Sequence, residues 1–237
     1  MVRLAIFMGV TVTNTVISAF IAIVGGIFNP YSRFNTGVIR LWARIILLAA
    51  GVELKIEGAE NLSKEESYIL VANHQSLMDI PVLAYGLPVP VRIIAKKELF
   101  KIPVFGWGMK SVGMLEIDRS NQKQSFATLK KAEHVLRSHH LSILAFPEGT
   151  RSDDGKIHHF KKGPFILAIN TGLSIVPISV SGTRKIIPKG KIQIYPGRVK
   201  IKIHAPISVA DLHLNERDQL VSKTQKIIIE SFNESYK

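Results

Sequence analysis

The chain has 237 residues, room for one large α/β domain with an appendage. Its 31 Lys+Arg against 18 Asp+Glu give a net charge of +13, which calls for an anionic partner, while a hydrophobic fraction of 46% argues against a plain nucleic-acid binder and for a phospholipid membrane. The absence of cysteine excludes thiolate nucleophiles, disulfides and Cys-ligated metals. Residues 4–32 carry no charge. At ~1.5 Å per residue, a helix over residues 4–28 is about 37 Å long, enough to cross an apolar layer of about 30 Å. A cleaved signal peptide fits poorly, because the apolar part is too long and no small-x-small site follows it. Thr11, Asn14, Thr15 and Ser18 recur at helical spacing and make one face mildly polar. In residues 34–50, Arg40 and Arg44 lie one turn apart among Val38, Leu41, Trp42, Ile45 and Leu48, the composition of an interfacial amphipathic helix with Trp42 as anchor. With Asn29-Pro30 as the turn, the two segments read as a membrane-associated hairpin dipping into one leaflet; a single span is the alternative. Arg33, Arg40 and Arg44 favour anionic headgroups, hence the cytoplasmic face of the cell's inner membrane.

From residue 51 onward, strands and helices alternate. Strands are expected at 53–58, 67–73, 91–96, 114–119, 141–146 and 174–182, with helices at 78–84, 120–139, 163–170 and 210–235. Residues 96–113 read as turn-rich, and 191–197 with 198–205 as a β-hairpin. Repeated βα units with extra strands predict an α/β fold: a mixed, largely parallel central sheet flanked by helices, preceded by the two-helix hairpin. The expected division is a membrane anchor at 1–50 and one catalytic-sized domain at 51–237.

Three expected strand exits carry unusual chemistry, the place where such sheets gather functional groups. After the first, His74 and Asp79 are five residues apart. On an ideal helix they would diverge by about 140°, so the pair works only if His74 sits in the loop before the helix and Asp79 folds back. A carboxylate on one imidazole nitrogen fixes the tautomer and leaves the other as a general base. Asp118 and Arg119 follow the second exit. At the third, Gly149 allows close backbone approach, while Thr150 and Arg151 offer donors, the arginine fork matching a phosphate. Lys161 and Lys162, with Lys96 and Lys97, complete a basic set suited to a phosphate substrate. With no cysteine and no G-x-S-x-G elbow, a hydroxyl of the substrate itself is the natural recipient of the base. The pairs His139-His140 and His158-His159 lack an acidic cluster and are not read as metal ligands. Between Arg184 and His204 stand seven Lys/Arg and no acid, a surface read first as a contact for anionic headgroups, with acidic acyl carrier protein as the alternative.

The blocks "NHQSLMD", "GMLEIDR", "FPEGTRS" and "VPISVSG" occur in that order at 73–79, 113–119, 146–152 and 176–182. They resemble the four blocks of the glycerolipid acyltransferase family, most closely its bacterial 1-acyl-glycerol-3-phosphate acyltransferases. The resemblance implies transfer of a fatty acyl group from a thioester, on acyl carrier protein or coenzyme A, to the sn-2 hydroxyl of lysophosphatidic acid, giving phosphatidic acid, with no cofactor and no metal. It implies His74 as base, Asp79 as its partner, and Arg119, Glu148, Gly149 and Arg151 around the acceptor's phosphate and glycerol. Pro177 would lie in the block tied to donor binding or structural support, and Lys162, in the family-like "FKKG", would assist charge neutralisation. Glycerol-3-phosphate or another lysophospholipid as acceptor is the nearest alternative. A non-catalytic protein binding anionic lipid is the alternative of another class, and it has no need of a His-Asp pair.

Overall fold

The structure, a computed structural model, describes residues 2–118, 122–190, 193–233 and 236. Two helices, α1 (Val2–Phe28) and α2 (Arg33–Ala50), form an antiparallel hairpin. Ser32 starts α2 by accepting from the Asn35 N–H, and Gly51 stops it at φ 70°, its own N–H turned back to Leu47 and Leu48 carbonyls. Arg3 closes the open end by donating to the Ala50 carbonyl, a cation at a helix C-terminus. The polar stripe of α1 faces its partner helix. Asn14 is buried and donates to the Trp42 carbonyl, while the Trp42 indole donates to Thr15. Outward instead point Val12, Val16, Phe20, Val24, Ile27 and Phe28. The hairpin therefore hides polar groups and displays apolar ones.

Among the described residues seven strands follow: β1 (Val52–Glu57), β2 (Ile69–Ala72), β3 (Val91–Lys96), β4 (Leu115–Ile117), β5 (Ser142–Ala145), β6 (Ile175–Ser181) and β7 (Gly197–Ile203). They form one sheet in the order β1-β7-β6-β2-β5-β3-β4. All pairings are parallel except β6 with β7, so β1 and β7 run opposite to the other five. The remaining α-helices are α3 (Asp79–Gly86), α4 (Phe105–Ser111), α5 (Gln122–Ser138), α6 (Gly163–Thr171), α7 (Thr183–Ile186) and α8 (Arg217–Ser231). Every residue of β2, β5 and β6 is buried, as parallel strands covered on both faces require. Along β2, Leu70 and Ala72 enter one core with Ile46, Leu47 and Leu83 of α2 and α3; Ile69 and Val71 enter the other with Val135, Phe165 and Ile228 of α5, α6 and α8.

Three sequence expectations change. The turn-rich stretch contains α4, despite two glycines, because Gly108 lets the backbone lie on Ala19 of α1, where an added Cβ would stand 2.8 Å from the alanine Cβ. Gly106 likewise touches the Phe100 carbonyl. The expected 191–205 hairpin is absent among the described residues: 193–196 are irregular, and β7 spends both edges on β6 and on the distant β1. The last helix starts at Arg217 rather than residue 210, after a 3₁₀ turn over Leu214–Glu216.

Candidate active site

The exits of β2, β5 and β6 lie side by side at the centre of the sheet. Asn73 staples two of them, its amide donating to the Val180 carbonyl at 2.9 Å and accepting from the Val180 N–H at 2.8 Å. His74 follows, in the loop before α3, and is held on four sides. Its N–H donates to Glu148 Oε1 (2.7 Å), and its carbonyl accepts from the Ser152 N–H (2.9 Å). Its ring stacks on Phe146 with centroids 4.1 Å apart. Its Nδ1 lies 2.8 Å from Asp79 Oδ2. The same Oδ2 accepts from the Gln75 and Ser76 N–H groups at 2.6 and 2.8 Å, and Asp79 is fully buried. An anionic acceptor there assigns the ring proton to Nδ1 and the lone pair to Nε2. The imidazole side chain is 13% exposed, enough for a substrate group to reach it. Ser76, beside it, donates its hydroxyl away to the Ile187 carbonyl.

Glu148 departs from the expected contact with the acceptor. Both carboxylate oxygens are committed to backbone donors, Oε1 to His74 and Oε2 to His158 (2.9 Å), and the residue is buried. Burial raises its carboxyl pKa, with the bonds from the His158 and His74 N–H groups opposing. It is a brace between two loops. Glu148→Gln must put an amide NH₂ against one of these N–H groups, so a chemical melt should show a loss of about 1–3 kcal/mol at neutral pH. A carboxyl raised by burial contributes stability at low pH that is lost as pH climbs through its folded pKa. The gap between wild type and Glu148→Gln should therefore widen on acidification; a gap that narrows would mean that the two N–H bonds outweigh burial, and contradicts the raised pKa.

Gly149 has φ 76°, and a Cβ on it would meet Lys161 Nζ at 2.9 Å, so the Lys161 side chain lies across this glycine. Lys162, the lysine expected at the site, points elsewhere and pairs with Asp218 of α8 at 2.9 Å. Thr150 is exposed; Arg151 is half-buried, with no acidic partner for its guanidinium among the described residues. Lys96 is exposed and 3.5 Å from Glu98. Its neighbour Lys97 pairs with buried Asp118, a bond that raises the lysine pKa. Arg119 lies outside the described residues. Of the hairpin residues, Arg44 is exposed, whereas Arg40 donates to the Leu87 and Val89 carbonyls and ties the hairpin to the α/β domain, and Trp42 donates to Thr15 of α1 and ties the two helices to each other. Between hairpin, α4 and β3 runs an apolar cleft lined by Ala19, Trp42, Ile80, Ile93, Phe105 and Met109. Ile80 adjoins Asp79, which brings the cleft beside the His–Asp pair.

The Acyltransferase family model matches residues 53–181. The chain belongs to that family. It is 37% identical over 206 residues to the chloroplastic 1-acyl-sn-glycerol-3-phosphate acyltransferase of Arabidopsis thaliana, covering 85% of this chain and 57% of that protein. The chain thus spans little more than half the length of this plant relative. With the 1-acyl-sn-glycerol-3-phosphate acyltransferase of Borreliella burgdorferi it shares 32% identity over 205 residues, 83% of this chain and 82% of the relative. The crystal structure of the 1-acyl-sn-glycerophosphate (LPA) acyltransferase PlsC from Thermotoga maritima superposes with a TM-score of 0.81 at 28% identity, covering 97% of this chain and 92% of that one. That coverage leaves no room to omit the two-helix hairpin. The family match itself contains His74, Asp79 and the 148–151 turn but stops short of the hairpin.

Proposed function

We propose that the chain transfers a fatty acyl group from an acyl thioester to the sn-2 hydroxyl of 1-acyl-glycerol-3-phosphate, releasing the thiol and forming phosphatidic acid. The observation that carries this is His74, clamped by Asp79, Glu148, Ser152 and Phe146 so that Nε2 alone is left to accept a proton. Nε2 takes the proton of the acceptor hydroxyl as its oxygen attacks the thioester carbonyl; the proton then goes to the departing thiolate. A base held this firmly contributes typically ~10²–10⁴ in rate. The acyl chain passes directly between substrates, with no ester to the protein. Arg151 and Lys161 supply cations for the acceptor's phosphate, and the apolar cleft beside Asp79 receives an acyl chain.

The hairpin supports a membrane setting for this chemistry. α1 is 27 residues long, apolar enough to cross a bilayer by length and composition, and its outer face is apolar while its polar stripe is covered. In this reading residues 1–50 anchor the acyl-transfer unit, residues 51–237, at the cytoplasmic face, where a lysophospholipid arrives by lateral diffusion. The test is a panel of acceptors (lysophosphatidic acid, glycerol-3-phosphate, lysophosphatidylcholine) against acyl-coenzyme A and acyl carrier protein thioesters, with the full chain in nanodiscs. Phosphatidic acid from lysophosphatidic acid is the expected product. Faster acylation of glycerol-3-phosphate replaces the acceptor, and no acylation of any acceptor with either donor rejects the reading.

A further inference from the structure

Arg92, on β3, is fully buried, and the structure gives it no carboxylate among the described residues. Its Nη atoms donate to the Thr36 hydroxyl and to the Pro30 and Val91 carbonyls, all neutral oxygens, and its Nε has no partner among the described residues. A buried guanidinium compensated only by dipoles sits in a region short of negative charge. Thr36 and its neighbours form the wall of a polar cavity under the hairpin turn. Arg33, Lys64, His139 and His140 line it against a single carboxylate among the described residues, Glu65, and the Tyr31 ring is tilted against His139 with centroids 4.3 Å apart. The N-terminus of α2, whose free N–H groups and dipole also favour an anion, opens onto the same space through Ser32 and Arg33.

This cavity is not the acyl-transfer site. Arg92 and Ile69 both pair with Ile143, and His74 is five residues beyond Ile69 toward the other end of the sheet, about 16 Å at ~3.3 Å per residue. Around the turn, Ile27, Phe28 and Phe34 are 76%, 86% and 57% exposed, so the basic cavity borders the apolar face of the hairpin. A molecule with an anionic head and apolar tails matches both.

We propose that this cavity binds the phosphate-bearing headgroup of an anionic phospholipid, one molecule held apart from the reacting substrates with its chains along α1. The inference does not rest on the acyl-transfer reading, since its readout is lipid retention and not turnover. Full chain in detergent is titrated with phosphatidylglycerol, and bound lipid is counted by native mass spectrometry. Arg33→Glu/Lys64→Glu should weaken retention by about tenfold or more. Both side chains are exposed and an acid in the first turn suits the helix dipole, so the variant should melt like wild type. Lys223→Glu/Lys226→Glu, the same charge change on α8, should stay within about twofold of wild type. Equal losses in the two variants overturn the site in favour of general attraction. A parallel titration with inorganic phosphate separates the sources: binding of phosphate without retention of phosphatidylglycerol overturns the headgroup assignment.

Discussion

His74→Ala should lower kcat by about 10²–10⁴ while leaving the melting temperature near that of wild type. The fold does not depend on the ring: the backbone clamps from Glu148 and Ser152 act on the N–H and C=O of residue 74, and Asp79 keeps two backbone donors without it. What vanishes is the lone pair on Nε2. Single-turnover assays with preloaded donor would assign the loss to the chemical step rather than to release of product. Turnover at wild-type level in this variant removes His74 as base.

Asp79→Asn should lower kcat by about 10²–10⁴, because it removes the carboxylate charge that stabilises the imidazolium formed when Nε2 takes the substrate proton. The Gln75 and Ser76 N–H groups and His74 Nδ1 all converge on Oδ2, so the asparagine carbonyl takes that place and accepts from them, its NH₂ lying where Oδ1 has no partner among the described residues. Unlike the alanine change at 74, it should also destabilise the protein by about 1–3 kcal/mol, since the Gln75 and Ser76 N–H groups lose an anionic acceptor in a dry site. ¹⁵N spectroscopy of the imidazole separates the loss of charge from a change of tautomer. The neutral ring should carry its proton on Nδ1 in wild type and variant alike, with kcat reduced all the same; a proton on Nε2 in the variant would show that tautomer and not charge is what Asp79 supplies.

The His–Asp pair was legible because it is local: a polar pair five residues apart, at the junction of an apolar run and a helix, permits one productive geometry. The role of Glu148 was not, because its partner His74 is 74 residues distant and a carboxylate in a basic turn looks like a substrate contact. The family-like block pointed to Lys162, but the loop turns these neighbours in different directions, Lys161 across Gly149 and Lys162 to Asp218. Likewise the stripe through Asn14 and Ser18 was visible as a pattern, but which way it faced depended on α2. The glycines that seemed to break 96–113 are contacts, and α4 is a helix because Ala19 is there to receive Gly108.

The pairing of β1 with β7 has a cost in time. Val52 lies opposite Gly197, a separation of 197 − 52 = 145 residues. At ~5–20 residues per second, a ribosome needs about 7–29 s to deliver the second strand after the first. Through that interval the β1 edge has no mate, and its backbone donors and acceptors are open to any extended segment nearby. Membrane capture of the preceding hairpin would park each nascent copy on a surface, away from crowded neighbours, until its own late strand emerges.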